Sequence, residues 1–388
     1  MATYVCHAQS PINAIDALKL ASANRPALKA AKLSIAEANS SSKAVGALSP
    51  TMLFVGASSR SELGPNDQDL QLSKPLDLFG KRRSSRLLGQ ASVQLAFAEY
   101  MTAASSLQNE VLTAFAEAVA SQHQQEVSDE LLTIAQGLLK ATKRRFDEGK
   151  VAETQVTRAT IELERATQAA ELSTADLKAS LQRLAGQLGT DASSLKIQSD
   201  AKIEPLVNPG IEGRADLLVL KSQIQIAEAD AGVARTSNRP DLNAMIVRSP
   251  FSSDPGYFGG RLQLSWAIGD NGKAKNEALA ASKRMEATQR LLEDATLRAK
   301  AELKAAQIAL EARQSRIVRY EAILESARDL VAKSQKGYSE GFGTQIDVLE
   351  ATRALREVEK ELVEARQQLS FAVIAQYRTS GFLAEVLK

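Results

Sequence analysis

Apolar positions along this chain follow two rhythms. Over most of its length they recur at helical spacing. Val111, Ala114, Phe115 and Ala118 stand at i, i+3, i+4 and i+7, and Leu355, Val358, Leu362 and Ala365 repeat the helical period with Glu, Lys and Arg between them. Such a stripe, rich in small residues, suits close helix–helix packing, with the opposite face left to water. Two of these stretches are very long. Lys81–Asp147 and Lys273–Ser339 contain no Pro, and hold two Gly and one Gly respectively. As helices each would extend ~100 Å, at ~1.5 Å per residue. An average globular helix has only about 10–14 residues.

Both long stretches run into glycine-containing turns, Glu148-Gly149-Lys150 and Glu340-Gly341-Phe342-Gly343. Glycine suits the left-handed conformation that ends a helix. Thr154 and Thr344 are the expected N-caps of the next helices, about 153–187 and 345–379. Earlier helices are expected at about 12–47 and 211–237.

The second rhythm has period two. Leu262, Leu264, Trp266 and Ile268 alternate with Gln263, Ser265, Ala267 and Gly269, and Leu70, Leu72 and Leu76 do so less cleanly. Alternation of this kind predicts strands. Further strand candidates lie at 50–60 and 241–249, each joined to its partner by a polar turn-rich loop, 62–67 and 252–256. Each predicted hairpin, about 50–76 and 241–269, has strands of the ~9–11 residues that cross an outer membrane. Four strands cannot close a barrel, and open edges do not survive in lipid. Other copies of the chain must therefore complete the sheet. Tyr257, Phe258 and Trp266 are candidates for an interfacial aromatic girdle.

The two rhythms occur twice. Leu70-Gln71-Leu72-Ser73 returns as Leu262-Gln263-Leu264-Ser265, Gly80-Lys81 as Gly272-Lys273, and Glu148-Gly149 as Glu340-Gly341, all at one offset of 192. Ala36-Glu37-Ala38 returns as Ala227-Glu228-Ala229 at an offset of 191. The chain therefore divides into a leading segment 1–10 and two copies of one unit, 11–204 and 205–388. Each copy reads as helix, β-hairpin, long helix, helix. The fold expected is mainly α with a small β part.

Composition narrows the function. Lys and Arg number 48 against 46 Asp and Glu, a net charge of +2, which gives no field to gather nucleic acid. One Cys permits no intrachain disulfide and no Cys-based zinc site. Aromatics are 4% of the chain, low for a large globular core. No apolar run is long enough for a membrane-spanning helix. The chain lacks G-x-S-x-G, Walker A, G-x-G-x-x-G and H-E-x-x-H patterns, so no enzyme, cofactor or metal site is expected. Gly269-Asp270-Asn271-Gly272-Lys273 has the wrong spacing for phosphate and reads as a turn into the long helix. Residues 1–10 carry no basic-then-apolar signal and are expected to be either the remnant of one or a disordered start. Cys6 is a weak candidate for lipid attachment, because Thr3-Tyr4-Val5 before it makes a poor lipobox.

The ordered motifs resemble those of TolC-like outer-membrane efflux proteins, most of all the heavy-metal CzcC-like branch. They are Asn24-Arg25-Pro26-Ala27-Leu28, Leu78-Phe79-Gly80-Lys81-Arg82-Arg83, Arg145 to Val151, Arg239-Pro240-Asp241-Leu242, and Tyr338 to Thr344 leading to Asp347-Val348-Leu349-Glu350-Ala351. No single motif is specific; their order, duplication and spacing are. The resemblance covers about residue 11 to the end.

It implies a homotrimer whose strands form a 12-stranded barrel in the outer membrane of a Gram-negative-type bacterium, continuous with an α-helical tunnel in the periplasm. The implied role is the exit duct of a tripartite efflux system, with a periplasmic adaptor and an inner-membrane pump of RND type for metal cations or drugs. A type I secretion duct has the same architecture, and a soluble coiled-coil scaffold fits the helices alone. The resemblance assigns adaptor contact to Gly149, Lys150, Val151, Ala152 and Glu153, and to Gly341, Phe342, Gly343 and Thr344. It assigns a periplasmic gate to Asp347 and Glu350, one helical turn apart, and to Tyr338. The family's Arg partner for that Tyr is not evident, because Gln345 stands where it is expected.

Overall fold

A computed structural model describes residues 11–58, 67–198, 202–248, 258–267 and 269–387. The chain opens with α1 (Ala14–Asn24) and α2 (Pro26–Val45), then strands β1 (Met52–Ser58) and β2 (Asp67–Leu76). The long α3 (Lys81–Asp147) and then α4 (Glu153–Leu188) follow. The second series is α5 (Ala215–Ser237), β3 (Asp241–Arg248), β4 (Phe258–Ser265), the long α6 (Lys273–Glu340) and α7 (Gln345–Ser380).

The uninterrupted stretches do form single helices, of 67 residues in α3 and 68 in α6. The first expected helix, 12–47, is instead broken in two. Arg25 precedes Pro26 and takes an extended conformation, φ −67° and ψ 119°. The proline ring disfavours the helical region for the residue before it. Asn13 caps α1 by accepting the Asp16 backbone N–H at 2.9 Å.

The helix ends show why the spacing of 192 recurs. Gly80 and Gly272, Gly149 and Gly341, and Gly189 and Gly381 all have φ between +67° and +94°. Each pair closes or opens corresponding helices with a left-handed residue that a side chain would strain. Gly189 and Gly381 are the C-caps of α4 and α7, both 36 residues long.

Two compact units result, and each draws on both halves of the chain. One gathers Met1–Leu28, Ala103–Arg214 and Arg298–Lys388; the other gathers Lys29–Thr102 and Ala215–Leu297. The first has a helical core with small and branched side chains. Leu138, Ala159, Tyr338 and Val348 form one cluster, Leu131, Ala327, Val331, Ala351 and Leu355 another, and Leu310, Ala372 and Val373 a third. A parallel bridge between Ile12 and Ile197 adds the start of α1 to it.

The second unit holds a four-stranded antiparallel sheet, ordered β1-β2-β3-β4. The two expected hairpins are therefore fused through β2 and β3, with Leu72 opposite Ile246 and Leu76 opposite Leu242. Lys81 anchors the exit from the sheet by an ion pair to Asp241 at 2.8 Å, and Arg239 donates to the Phe79 carbonyl at 2.7 Å. β4 is shorter than expected. It stops at Ser265, so Trp266 lies just beyond it. β3 begins at Asp241, opposite Ser265, so no residue of β3 stands opposite Trp266, whose indole N–H donates to the Asn238 carbonyl at 3.1 Å. Ile268 and Tyr257 lie outside the described residues, as do Cys6 and the loop cores 59–66 and 249–257.

Candidate functional site

Two features hold the site residues expected from the sequence: the face of the sheet, and the pair of helix–turn–helix tips. On the sheet, paired residues share a face. The register puts Leu53, Val55, Leu70, Leu72, Lys74, Leu76, Leu242, Ala244, Ile246, Arg248, Phe258, Gly260, Leu262 and Leu264 on one side. The other side carries Gln71, Ser73, Asp241, Asn243, Arg261, Gln263 and Ser265, together with Pro75, Met245 and Val247, and with Met52 and Phe54 toward the β1 edge. One face is thus almost wholly apolar, and the other mixes polar with apolar residues. The apolar face is bare: Leu53, Val55, Ile246, Phe258, Leu262 and Leu264 are each at least half exposed. Its two charges sit toward opposite ends. Lys74 reaches to donate to the Ser49 carbonyl at 2.8 Å, and Arg248 closes β3. This pattern is the one expected of a membrane barrel's lipid face.

The first tip lies between α3 and α4. Gly149 turns at φ +71°, its N–H donates to the Phe146 carbonyl, and the Lys150 N–H donates to the Arg145 carbonyl. The Lys150 ammonium pairs with Glu148 at 2.7 Å. That hydrogen bond, reinforced by the lysine charge, holds the Glu148 carboxyl below the usual range. The N-cap of α4 is Ala152, without a side-chain bond, rather than Thr154. Helical geometry begins at Glu153, so Thr154 already sits inside the first turn. Lys150, Ala152 and Glu153 are exposed and Val151 is half-buried.

The second tip lies between α6 and α7 and is tighter. The N–H groups of Gly341, Phe342 and Gly343 all converge on the Gly337 carbonyl, at 2.9–3.0 Å. A side chain at Gly343 would place its Cβ 3.1 Å from the Tyr338 nitrogen and 3.2 Å from the Gly337 carbonyl carbon, pressing on the backbone of the turn. Phe342 projects outward, 91% exposed. Thr344 is the N-cap, as expected. Its hydroxyl accepts the Asp347 N–H at 3.2 Å, and the Asp347 carboxylate accepts the Thr344 N–H at 2.8 Å. This reciprocal capping box fixes the start of α7. The bond from Thr344 keeps the Asp347 carboxyl below the ordinary aspartate range. Glu350 is exposed on the same helix.

Tyr338 is buried, and here the structure supplies what the sequence hid. Its hydroxyl lies 3.1 Å from the Thr142 hydroxyl on α3 and 3.4 Å from the Gln155 side-chain carbonyl on α4. Arg145 of the other tip also lies against it. That guanidinium stands 4.6 Å over the ring and donates to the Tyr338 carbonyl at 2.6 Å. Arg145 is 193 residues away, within one of the tip motifs, so only the duplication hinted at the pairing. Gln345 is buried and donates its side-chain amide to the Gln155 carbonyl at 2.7 Å. Further along α7, Arg356 pairs with Glu162 of α4 at 2.7 Å. A latch of polar contacts therefore binds α6 and α7 to α3 and α4.

Among the described residues no helix is long and apolar enough to cross a membrane, and no three His, Cys, Asp or Glu side chains group as a metal site.

Comparison with known proteins gives a consistent picture. The family model of outer membrane efflux proteins matches residues 17–190 and again 207–381. Nodulation protein T of Rhizobium leguminosarum bv. trifolii is 25% identical over 339 residues, covering 81% of this chain and 71% of that protein. The solved outer membrane protein VceC of Vibrio cholerae superposes with a TM-score of 0.73 at 19% identity, over 95% of this chain and 96% of that one. The MtrE outer membrane channel of Neisseria gonorrhoeae, solved in its open state, gives 0.73 at 15% identity, over 98% and 93%.

Proposed function

The chain belongs to the outer membrane efflux protein family, and from that premise we propose that three copies form one passive exit duct. It is an outer-membrane protein that conducts substrates and catalyses no reaction. In our reading three four-stranded sheets close into a 12-stranded barrel, and the helices of the two repeats, 11–204 and 205–388, continue it as a tunnel in the periplasm. The observation that carries this is the sheet itself. One face is a bare apolar band, while the outer edges of β1 and β4 end the sheet. Neither is stable in lipid unless neighbouring sheets pair with those edges.

The tips are where the duct meets its partners. Gly149, Lys150, Val151, Ala152 and Glu153, with Gly341, Phe342, Gly343 and Thr344, form the surface for a periplasmic adaptor, which links the duct to an inner-membrane pump of RND type. Compact glycine turns let adaptor helices approach closely, and exposed Phe342 gives them an apolar anchor. Asp347 and Glu350, one turn apart on α7, become stacked acidic rings when repeated by three-fold symmetry, and such rings favour cations. Tyr338 holds the gate closed through Thr142, Gln155 and Arg145.

Planar-bilayer recording of the purified chain tests this directly. Steady ionic current should appear without any energy source, and reversing charge at Asp347 and Glu350 should alter block by multivalent cations. Unchanged conductance and unchanged cation block would remove the gate from the proposal. Co-purification with adaptor should be lost on Phe342→Asp; retention would remove that anchor.

A further inference from the structure

The helical unit contains an ion cluster that the tips and the latch do not use. Glu359 lies on α7, about four turns beyond Gln345. It is only 2% exposed. One carboxylate oxygen, Oε1, accepts from Arg328 of α6 at 2.8 Å. The other, Oε2, is buried with no hydrogen-bond partner. The same terminal nitrogen of Arg328 also donates to Glu130 of α3, at 3.0 Å. One guanidinium thus serves two carboxylates, and three helices meet at it.

The neighbouring cluster on α4 has the opposite balance. Glu162 there has Arg356 at 2.7 Å and Arg165 at 3.9 Å, two cations for one carboxylate. The Glu359 node carries one uncompensated negative charge when both its acids are ionised. Water screens Arg328 and Glu130, which are about half exposed, but Glu359 itself lies beside the apolar cluster of Leu131, Ala327 and Leu355, and its orphan oxygen is shut off from water. A buried acceptor without a partner is costly, and a buried charge more so.

We propose that Glu359 is a proton-binding site that sets how firmly α7 is held to α3 and α6. With the proton bound the node is neutral and closed. With the proton lost, the excess charge and the orphan oxygen favour separation, which lets water in.

The charged groups around it support this direction. Burial is the main force raising the Glu359 pKa, and Glu130 on α3 adds to it; Arg328 on α6 opposes both. On α7 itself, Arg356 one turn away is taken up by Glu162 of α4. On α3, His123 and Glu126 pair with each other at 3.1 Å. A carboxyl whose native pKa is raised stabilises the closed node fully below the ordinary glutamate range. That contribution is lost as pH rises through the raised native value. Acidity therefore tightens the helices and alkalinity loosens them, whatever the duct carries.

Amide hydrogen exchange of the full chain in detergent tests this, read as protection factors over 355–363 so that intrinsic pH effects cancel. From pH 8 to 5, wild-type protection should rise by up to about tenfold per pH unit within the titration. Glu359→Gln should show high protection that does not change with pH. Glu130→Gln leaves Arg328 to Glu359 alone and should move the transition to lower pH. Wild-type protection that stays flat, or a pH slope that survives Glu359→Gln, would overturn the proposal. An unmoved transition in Glu130→Gln would equally overturn the shared guanidinium on which it rests.

Discussion

The register of the sheet makes a sharp prediction about two adjacent residues. Ile246 lies on the apolar face with Leu53, Leu72 and Gly260, between the rows that carry Lys74 and Arg248. Val247 lies on the opposite face, opposite Gln71 and Gly259. If the apolar face meets lipid, Ile246→Lys puts an ammonium into hydrocarbon. The cost is about 2–4 kcal/mol per chain at the bilayer midplane, or roughly 30- to 1,000-fold in the folding equilibrium at ~1.4 kcal/mol per decade. Snorkelling would lower it, but Lys74 already occupies the route to the Ser49 carbonyl. Val247→Lys faces a side that already carries Arg261 and Gln263 and should cost well under 1 kcal/mol, as a lumen substitution. Reconstituted chains can be compared by urea unfolding from lipid vesicles, followed by Trp266 fluorescence. A Val247→Lys loss equal to or greater than that of Ile246→Lys would refute the assignment of faces.

Other predictions follow from the latch and tips. Tyr338→Phe removes one hydrogen-bonding hydroxyl and should cost about 0.5–1.5 kcal/mol, measured as a lower thermal midpoint; no change would mean that the Thr142 contact is idle. Thr344→Ala removes half of the capping box and should cost about 0.5–2 kcal/mol, seen as faster amide exchange at 345–348. The same box should weaken in acid. The Asp347 pKa is lowered on folding, so its contribution is present above the ordinary aspartate range and lost as pH falls through the lowered value. Protection at 345–348 that is level from pH 6 to pH 2 would contradict this. Gly341→Ala forces a side chain onto a residue at φ +94° and should cost about 1–2 kcal/mol, with weaker adaptor retention on a pull-down; unchanged stability would mean that the turn relaxes.

Much of this was written into local spacing. The absence of Pro from 81–147 and 273–339 set the two long helices, and glycines offset by 192 marked their ends. Thr344 could be recognised as a cap because Asp347 follows at the capping-box distance. Thr154 misled because Glu153 before it also starts a helix well, and local chemistry does not choose between neighbours. Strand alternation was legible, but the end of β4 was not. Trp266 continues the period-two pattern, but its partner strand begins only at Asp241, opposite Ser265, after Pro240, which has no N–H for a ladder. The pairing of β2 with β3 joins residues about 170 apart, and no local signal encodes it. The same limit hid Arg145 over Tyr338 and the crowded guanidinium of Arg328. Those partners stand on different helices, and helix periodicity gives a face without naming what it meets.

The central claim is that this sheet is one part of a closed barrel made by copies of the chain in lipid. The mass of the protein, extracted from outer membranes in mild detergent and corrected for bound detergent, tests it most directly. The account predicts a single species with the mass of three 41.7 kDa chains, which needs detergent to stay dispersed. A monomer, or a dimer that stays soluble without detergent, would contradict it.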